Sequence, residues 1–251
     1  MKKHLRVVRY PVSILLFFWL STVSTARDAK SVVKEVRFRT DDNVEIRGSY
    51  YTHDQSGPGI LLMHQCMEGS DRNSWASVAN KLAEEGYHVL AFDFRGYGDS
   101  DGQWPDFEKM SEFISVCRST ISRDVNAAFE FLKSQPNVNS DQIGVGGASC
   151  GVFMGIDLAA SNPEIKTMVL FSGPFDIIAR EKLNQMDSVP VLTSASVKDT
   201  RAFEAMKRLF SATNNPNSIF IQLKGDRHGT FMFDIDPDLE NKVTAWFQRW
   251  L

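Results

Sequence analysis

The feature that most constrains this chain is an alternation of short apolar runs with amphipathic stretches, sustained from residue 59 to the end. Residues 59–64 (Gly-Ile-Leu-Leu-Met-His) and 88–94 (His-Val-Leu-Ala-Phe-Asp-Phe) are apolar on successive positions, as strands buried on both faces must be. Between them, residues 75–85 put Trp75, Val78, Ala79, Leu82 and Ala83 on one stripe, the spacing of a helix with one apolar face. The pattern continues with strands at 142–146, 167–172, 189–194 and 218–223 and helices at 113–132, 152–160, 201–210 and 239–250. Upstream, residues 33–39 and 44–51 form a hairpin around Asp41-Asp42-Asn43. Strand–helix alternation predicts an α/β fold: a doubly wound, mostly parallel sheet with helices on both faces. In such sheets ligands gather beyond the carboxyl ends of the strands.

One of those ends carries Gly147-Ala148-Ser149-Cys150-Gly151. A G-x-S-x-G sequence between a strand and a helix is the pattern that lifts a serine hydroxyl out of a sharp turn, and the turn tolerates only small flanking residues. Ser149 is therefore the candidate nucleophile. Other chemistries find no support in the residues. There is no P-loop, no Cys/His spacing of a zinc site, and the G-x-G-x-x-G begun by Gly144 and Gly146 fails at Ser149. No cofactor and no metal are expected. Internal repeats and low-complexity linkers are absent from the sequence.

The first 26 residues read as an address rather than as fold. Lys2, Lys3, Arg6 and Arg9 precede a short apolar core, residues 12–20, and Ser24-Thr25-Ala26 offers the small residues of a cleavage site. That core is about half of the roughly twenty apolar residues needed to span a bilayer. A cleaved secretory signal is expected, leaving residues 27–251 as a single domain with no stable membrane insertion; an uncleaved N-terminal anchor is the alternative. The destination is secreted or periplasmic. Cleavage takes the formal net charge from −3 to −7, because four cations and no carboxylates leave. An acidic exported chain without a basic cluster is a poor nucleic-acid binder. Cys66, Cys117 and Cys150 are too few for a disulfide framework, although export permits one bridge.

Element order, the Ser149 turn and Asp93-Phe94-Arg95-Gly96-Tyr97-Gly98-Asp99-Ser100 together resemble the α/β-hydrolase superfamily, in its compact dienelactone-hydrolase-like and serine-aminopeptidase-like forms. The resemblance covers about residues 33–251. It implies a nucleophile–acid–histidine order, met here by Ser149, Asp199 after the 189–194 strand, and His228 in Gly225-Asp226-Arg227-His228-Gly229. In that chemistry the histidine takes the serine proton and returns it to the leaving group, while the aspartate holds the imidazole tautomer. Asp226 and Asp176 compete with Asp199 for the acid. His53, His64 and His88 are weaker candidates for the base, and His64 is read as a brace within its loop. The oxyanion hole needs two backbone N–H donors. Cys150 supplies one by position; the loop after residue 64 supplies the other, from Cys66 or, failing that, Gln65. Relatives often carry His-Gly where this chain has His64-Gln65. Arg95 and Asp99 are expected to brace loops beside the site.

The segment between the sixth strand and the acid is short, about sixteen residues from Pro174 to Val189, with a helix-compatible stretch at 177–184. That implies an open, shallow cleft with little or no cap, in which Phe107, Phe113, Phe153 and Phe175 could form a modest apolar lining. The expected activity is hydrolysis of carboxylic esters with small or exposed acyl groups, the partner being a small-molecule ester or related acyl substrate. Thioester or peptide cleavage on the same residues is the alternative, and a non-catalytic binding protein of the same fold the more distant one. Cys66 and Cys150 are expected to flank the Ser149 hydroxyl as two reduced or buried thiols, with Cys117 as a small core residue.

Overall fold

The computed structural model describes residues 31–107 and 109–251, so the signal sequence expected over residues 1–26 lies outside the described residues. Eight strands form one sheet in the order β1-β2-β4-β3-β5-β6-β7-β8. They are β1 (Val32–Arg39), β2 (Glu45–Thr52), β3 (Gly57–Met63), β4 (His88–Phe92), β5 (Val138–Ala148), β6 (Ile165–Phe171), β7 (Val191–Ser196) and β8 (Ile219–Leu223). β2 pairs antiparallel with β1 and β4, and every other pairing is parallel. The expected doubly wound α/β sheet is what forms.

Side chains on a strand alternate between faces, and the two cores divide accordingly. Leu61 and Leu90, register partners on β3 and β4, belong to one core; Ile60, Leu62, Val89 and Ala91 belong to the other. Helices α1 (Ala76–Glu84) and α7 (Leu239–Trp250) cover the second face with Val78, Leu82, Val243, Trp246 and Phe247. The first face is covered by α2 (Met110–Val116), α3 (Ser122–Lys133), α4 (Cys150–Ser161), α5 (Ile177–Asn184) and α6 (Thr200–Phe210). Continuous apolar strands are thus explained by burial on both sides.

Most boundaries shift by one or two residues, and three departures from the sequence expectation have a specific structural setting. β5 starts at Val138 rather than 142, because its early residues pair with β3 before the core begins. The single helix expected over 113–132 is broken by one wide π-type turn, Cys117–Ile121, between α2 and α3. Cys117 and Ile121 face the core there, while Arg118 pairs with Asp157 and Asp176. Trp75 belongs to a short 3-10 turn ahead of α1, where its indole N–H donates to the Met63 carbonyl at 3.0 Å.

Histidines buried in this scaffold set a pH limit. His64 is fully buried; its Nδ1–H donates to the Gln65 carbonyl (2.8 Å) and its Nε2 accepts from the Phe94 N–H (3.2 Å). His88, at the start of β4, is held by Thr52 and by the Gln55 carbonyl, with His53 stacked 4.4 Å away. Burial lowers both imidazoles from the ordinary 6.5, and for His88 the charge of His53 adds to it. A histidine depressed in the folded state binds its proton more readily when unfolded, so stability falls as pH drops below about 6.5. The urea midpoint should decrease between pH 7.5 and pH 5.5; a midpoint that is flat or rises would show that these histidines do not govern acid stability.

Candidate active site

Ser149 sits between β5 and α4 at φ 53°, ψ −112°, one of three described non-glycine residues with positive φ. Such a conformation costs about 1–3 kcal/mol and persists only where its surroundings impose it. Here the Ser149 N–H donates to the Phe171 carbonyl at 2.7 Å, and its own carbonyl accepts from Val152 at 3.0 Å. The turn is tight enough that a Cβ on Gly147 would lie 2.2 Å from the Gly151 carbonyl oxygen. Gly147→Ala should therefore open the turn, with a loss of roughly 1–3 kcal/mol from overpacking and a lowered melting temperature. An unchanged melt would mean that the turn is looser than this contact requires.

Asp199 and His228 approach from the ends of β7 and β8. The His228 Nδ1–H donates to Asp199 Oδ2 at 2.5 Å. Three contacts lock the two loops together: Val197 N–H to Leu223 O (2.9 Å), Lys198 N–H to Gly225 O (2.8 Å) and Ser196 Oγ–H to Arg227 O (2.6 Å). Although Asp199 precedes α6, its carboxylate does not cap that helix and stays with the imidazole. The competing acids are engaged elsewhere or exposed. Asp176 caps α5 through the Ile178 N–H (3.0 Å) and pairs with Arg118, while Asp226 faces solvent.

Ser149, Asp199 and His228 open onto one cleft of about 650 Å³, together with Cys66, Phe107, Phe113, Pro174, Phe175 and Arg201. The Ser149 hydroxyl makes no hydrogen bond to His228 among the described contacts, a looseness common before a substrate is seated. Phe153 is not in this lining. It is buried in the core against Phe113, which corrects the sequence expectation. Arg201 entered no sequence argument, and it stands in the cleft without an ion-pair partner among the described residues.

Cys66 lines the same cleft as Ser149 and Cys150 follows Ser149 directly, but the two are not thiols: they form a disulfide with a Cα–Cα distance of 5.8 Å. The expectation of two reduced thiols is thus overturned. Their Cβ vectors converge, which 84 residues of sequence separation could not reveal. Cys117 is the free cysteine, and burial pushes its thiol up to about 12. The backbone N–H groups of Cys66 and Cys150 have no partner among the described residues. For Cys150 this follows from its place at the start of α4, where the first N–H groups lack intrahelical acceptors.

Gln65 has a role that the sequence reading missed. It is fully buried, and its Oε1 accepts from both the N–H (2.9 Å) and the hydroxyl (2.8 Å) of Thr230, two residues past His228. Between them Gly229 lies at φ 57°, where a Cβ would stand 2.4 Å from that same oxygen. The departure from His-Gly was the visible signal: a long amide in a loop that favours glycine needs a partner. His64 braces its loop as expected. Arg95 pairs with Asp42 and Asp124, and Asp99 with Arg72, so both are braces as well. Among the described residues no group of three or more His, Cys, Asp or Glu side chains is arranged to hold a metal ion, and no helix is long and apolar enough to cross a membrane.

The fold is shared with solved hydrolases. An esterase from Pyrococcus furiosus superposes with a TM-score of 0.67 at 24% identity, over 87% of this chain and 93% of that one. Among curated proteins, a putative carboxymethylenebutenolidase of Aquifex aeolicus is 28% identical over 53% of this chain and 57% of its own length. A thiohydrolase of Aspergillus aculeatus is 25% identical over 78% and 57% respectively. The chain spans about half the length of the curated relatives it matches. Residues 46–242, which run from β2 into α7 and include both loops of the cleft, match the dienelactone hydrolase family. The chain belongs to that family.

Proposed function

We propose that this protein is an exported serine hydrolase that cleaves carboxylic esters of small or exposed acyl groups, with Ser149 as nucleophile, His228 as base and acid, and Asp199 as its partner. The observation that carries the reading is the 2.5 Å His228–Asp199 hydrogen bond on the wall of the cleft that also exposes Ser149. With Nδ1–H committed to Asp199, the free Nε2 is the atom that receives the serine proton. Ser149 Oγ attacks the ester carbonyl, the backbone N–H groups of Cys66 and Cys150 stabilise the oxyanion, and His228 passes the proton to the departing alkoxide. Water then repeats the sequence against the acyl-enzyme.

The cleft supports the substrate class. It is open, with α5 the only helix between β6 and β7, and its Phe107, Phe113 and Phe175 offer apolar contact without an enclosed tunnel. Thioester cleavage is the second reading, favoured by the similarity to a thiohydrolase. A fluorophosphonate probe should label Ser149, and a panel of short-chain esters, acyl thioesters and aminoacyl amides should show esters turned over fastest. Absence of labelling would overturn the nucleophile, and a preference for thioesters or amides would move the substrate class.

In this proposal residues 27–251 act as a single domain in the periplasm or outside the cell. The basic start, short apolar core and Ser24/Ala26 pair support export. Intact mass of the exported protein should give Arg27 as its first residue. A membrane-bound species retaining residues 1–26 would favour the anchor instead.

A further inference from the structure

We propose that the Cys66–Cys150 disulfide is the positioning element of the oxyanion hole, so that full turnover requires the bridge to be oxidised. This rests on the serine-hydrolase reading above. Cys66 lines the cleft that holds Ser149, Cys150 directly follows Ser149, neither backbone N–H has an acceptor among the described residues, and the bridge holds the two α-carbons 5.8 Å apart.

The two donors are anchored unequally. Cys150 begins the twelve-residue α4 and is fully buried, so its N–H is fixed by the helix and by the core around it. Cys66 has no such support. It lies in the loop after β3, it is half-exposed, and Met67, Glu68 and Gly69 beyond it are exposed. Its backbone N–H has no acceptor among the described residues. On the near side the loop is tied by Gln65 to Thr230. At Cys66 itself the tie is the sulfur bridge. An oxyanion donor works because it is already in place when charge develops, so opening the bridge lets the Cys66 N–H wander while Gln65 limits how far the loop departs.

The bridge is also chemically accessible from one side. Cys66 lines the cleft, whereas Cys150 is at 0% exposure. A thiolate from a dithiol reductant attacks Cys66 Sγ; the S–S bond breaks and its electron pair leaves on Cys150 Sγ, which takes up a proton. The reductant's second thiolate then attacks its own sulfur in the mixed disulfide and releases Cys66. Two protons and two electrons pass to the protein, and the reductant leaves as a cyclic disulfide. The oxidised state suits an exported protein.

A bridge acting only as a staple would alter stability, whereas one acting on the oxyanion hole alters transition-state binding selectively. The full exported chain is assayed on a short-chain ester before and after dithiothreitol, with reduction verified by three titratable thiols in denaturant where the oxidised protein shows one. Losing an oxyanion donor outright costs about 10²–10³ in kcat, so displacing one should lower kcat roughly 10- to 100-fold. KM should stay within about threefold. The inhibition constant of a trifluoromethyl ketone, whose hemiketal oxyanion occupies the hole, should rise by a factor similar to the fall in kcat, and reoxidation should restore both. The Cys66→Ser/Cys150→Ser double variant should match the reduced enzyme and ignore the reductant, while Cys117→Ser stays sensitive to it. Far-UV circular dichroism at the assay temperature accompanies each state. A folded, fully reduced protein with unchanged kcat and ketone affinity would overturn the proposal. So would a loss of kcat, KM and circular dichroism together, which would make the bridge a staple. If the oxidised protein shows no Ser149-dependent turnover before any reductant is added, the hydrolase reading fails first and takes this one with it.

Discussion

Ser149→Ala should reduce ester turnover by roughly four to six orders of magnitude, the loss typical when the nucleophile of a serine hydrolase is removed. The covalent intermediate cannot form without the hydroxyl, and the oxyanion donors retain only residual rate enhancement over water. The fold should survive. The backbone of Ser149 is held by Phe171 and Val152 rather than by its side chain, which makes no hydrogen bond, and alanine meets the same positive φ that serine already tolerates. Steady-state kinetics on a short-chain ester, with a thermal melt on the same preparation, check both halves. A well-folded Ser149→Ala protein that still hydrolyses esters near the wild-type rate would refute the mechanism.

Asp199→Asn should lower kcat by about 10⁴-fold, because an amide in place of the carboxylate stabilises the wrong imidazole tautomer and cannot stabilise the imidazolium. The neighbouring carboxylates make the comparison sharp. Asp176→Asn should cost some stability, through weaker capping of α5 and loss of the Arg118 ion pair, yet leave kcat within a few-fold. Asp226→Asn should be close to neutral, since Asp226 faces solvent. If Asp176→Asn is crippled while Asp199→Asn is active, the acid of the site is the wrong residue.

Much of this was legible along the chain because its causes are local. Continuous apolar runs such as residues 59–64 require burial on both faces, and the Trp75–Ala83 stripe requires a helix against one of them. The Ser149 turn carries its own sterics in Gly147 and Gly151. The order Ser149, Asp199, His228 also survived folding as a cluster of residues at strand ends, where a parallel sheet collects them. Less legible was the π-type turn at Cys117–Ile121, since one extra residue in a turn leaves the apolar periodicity on either side nearly intact.

By itself, then, the sequence determined the alternation of strands and helices, the side of the sheet on which the site lies, and the residue that the sharp turn presents. Those follow from period, sterics and chain order, which act over a few residues or through the handedness of parallel crossovers. Only the tertiary structure decided the rest. It joined Cys66 to Cys150 across 84 positions, gave Asp199 rather than Asp176 or Asp226 to His228, and turned Gln65 from a missing glycine into the clamp on Thr230, 165 positions away. Each of these depends on whether two groups far apart in the chain point toward one another. That direction is set by packing of β3, β5, β7 and β8 together, and no stretch of the chain carries it alone.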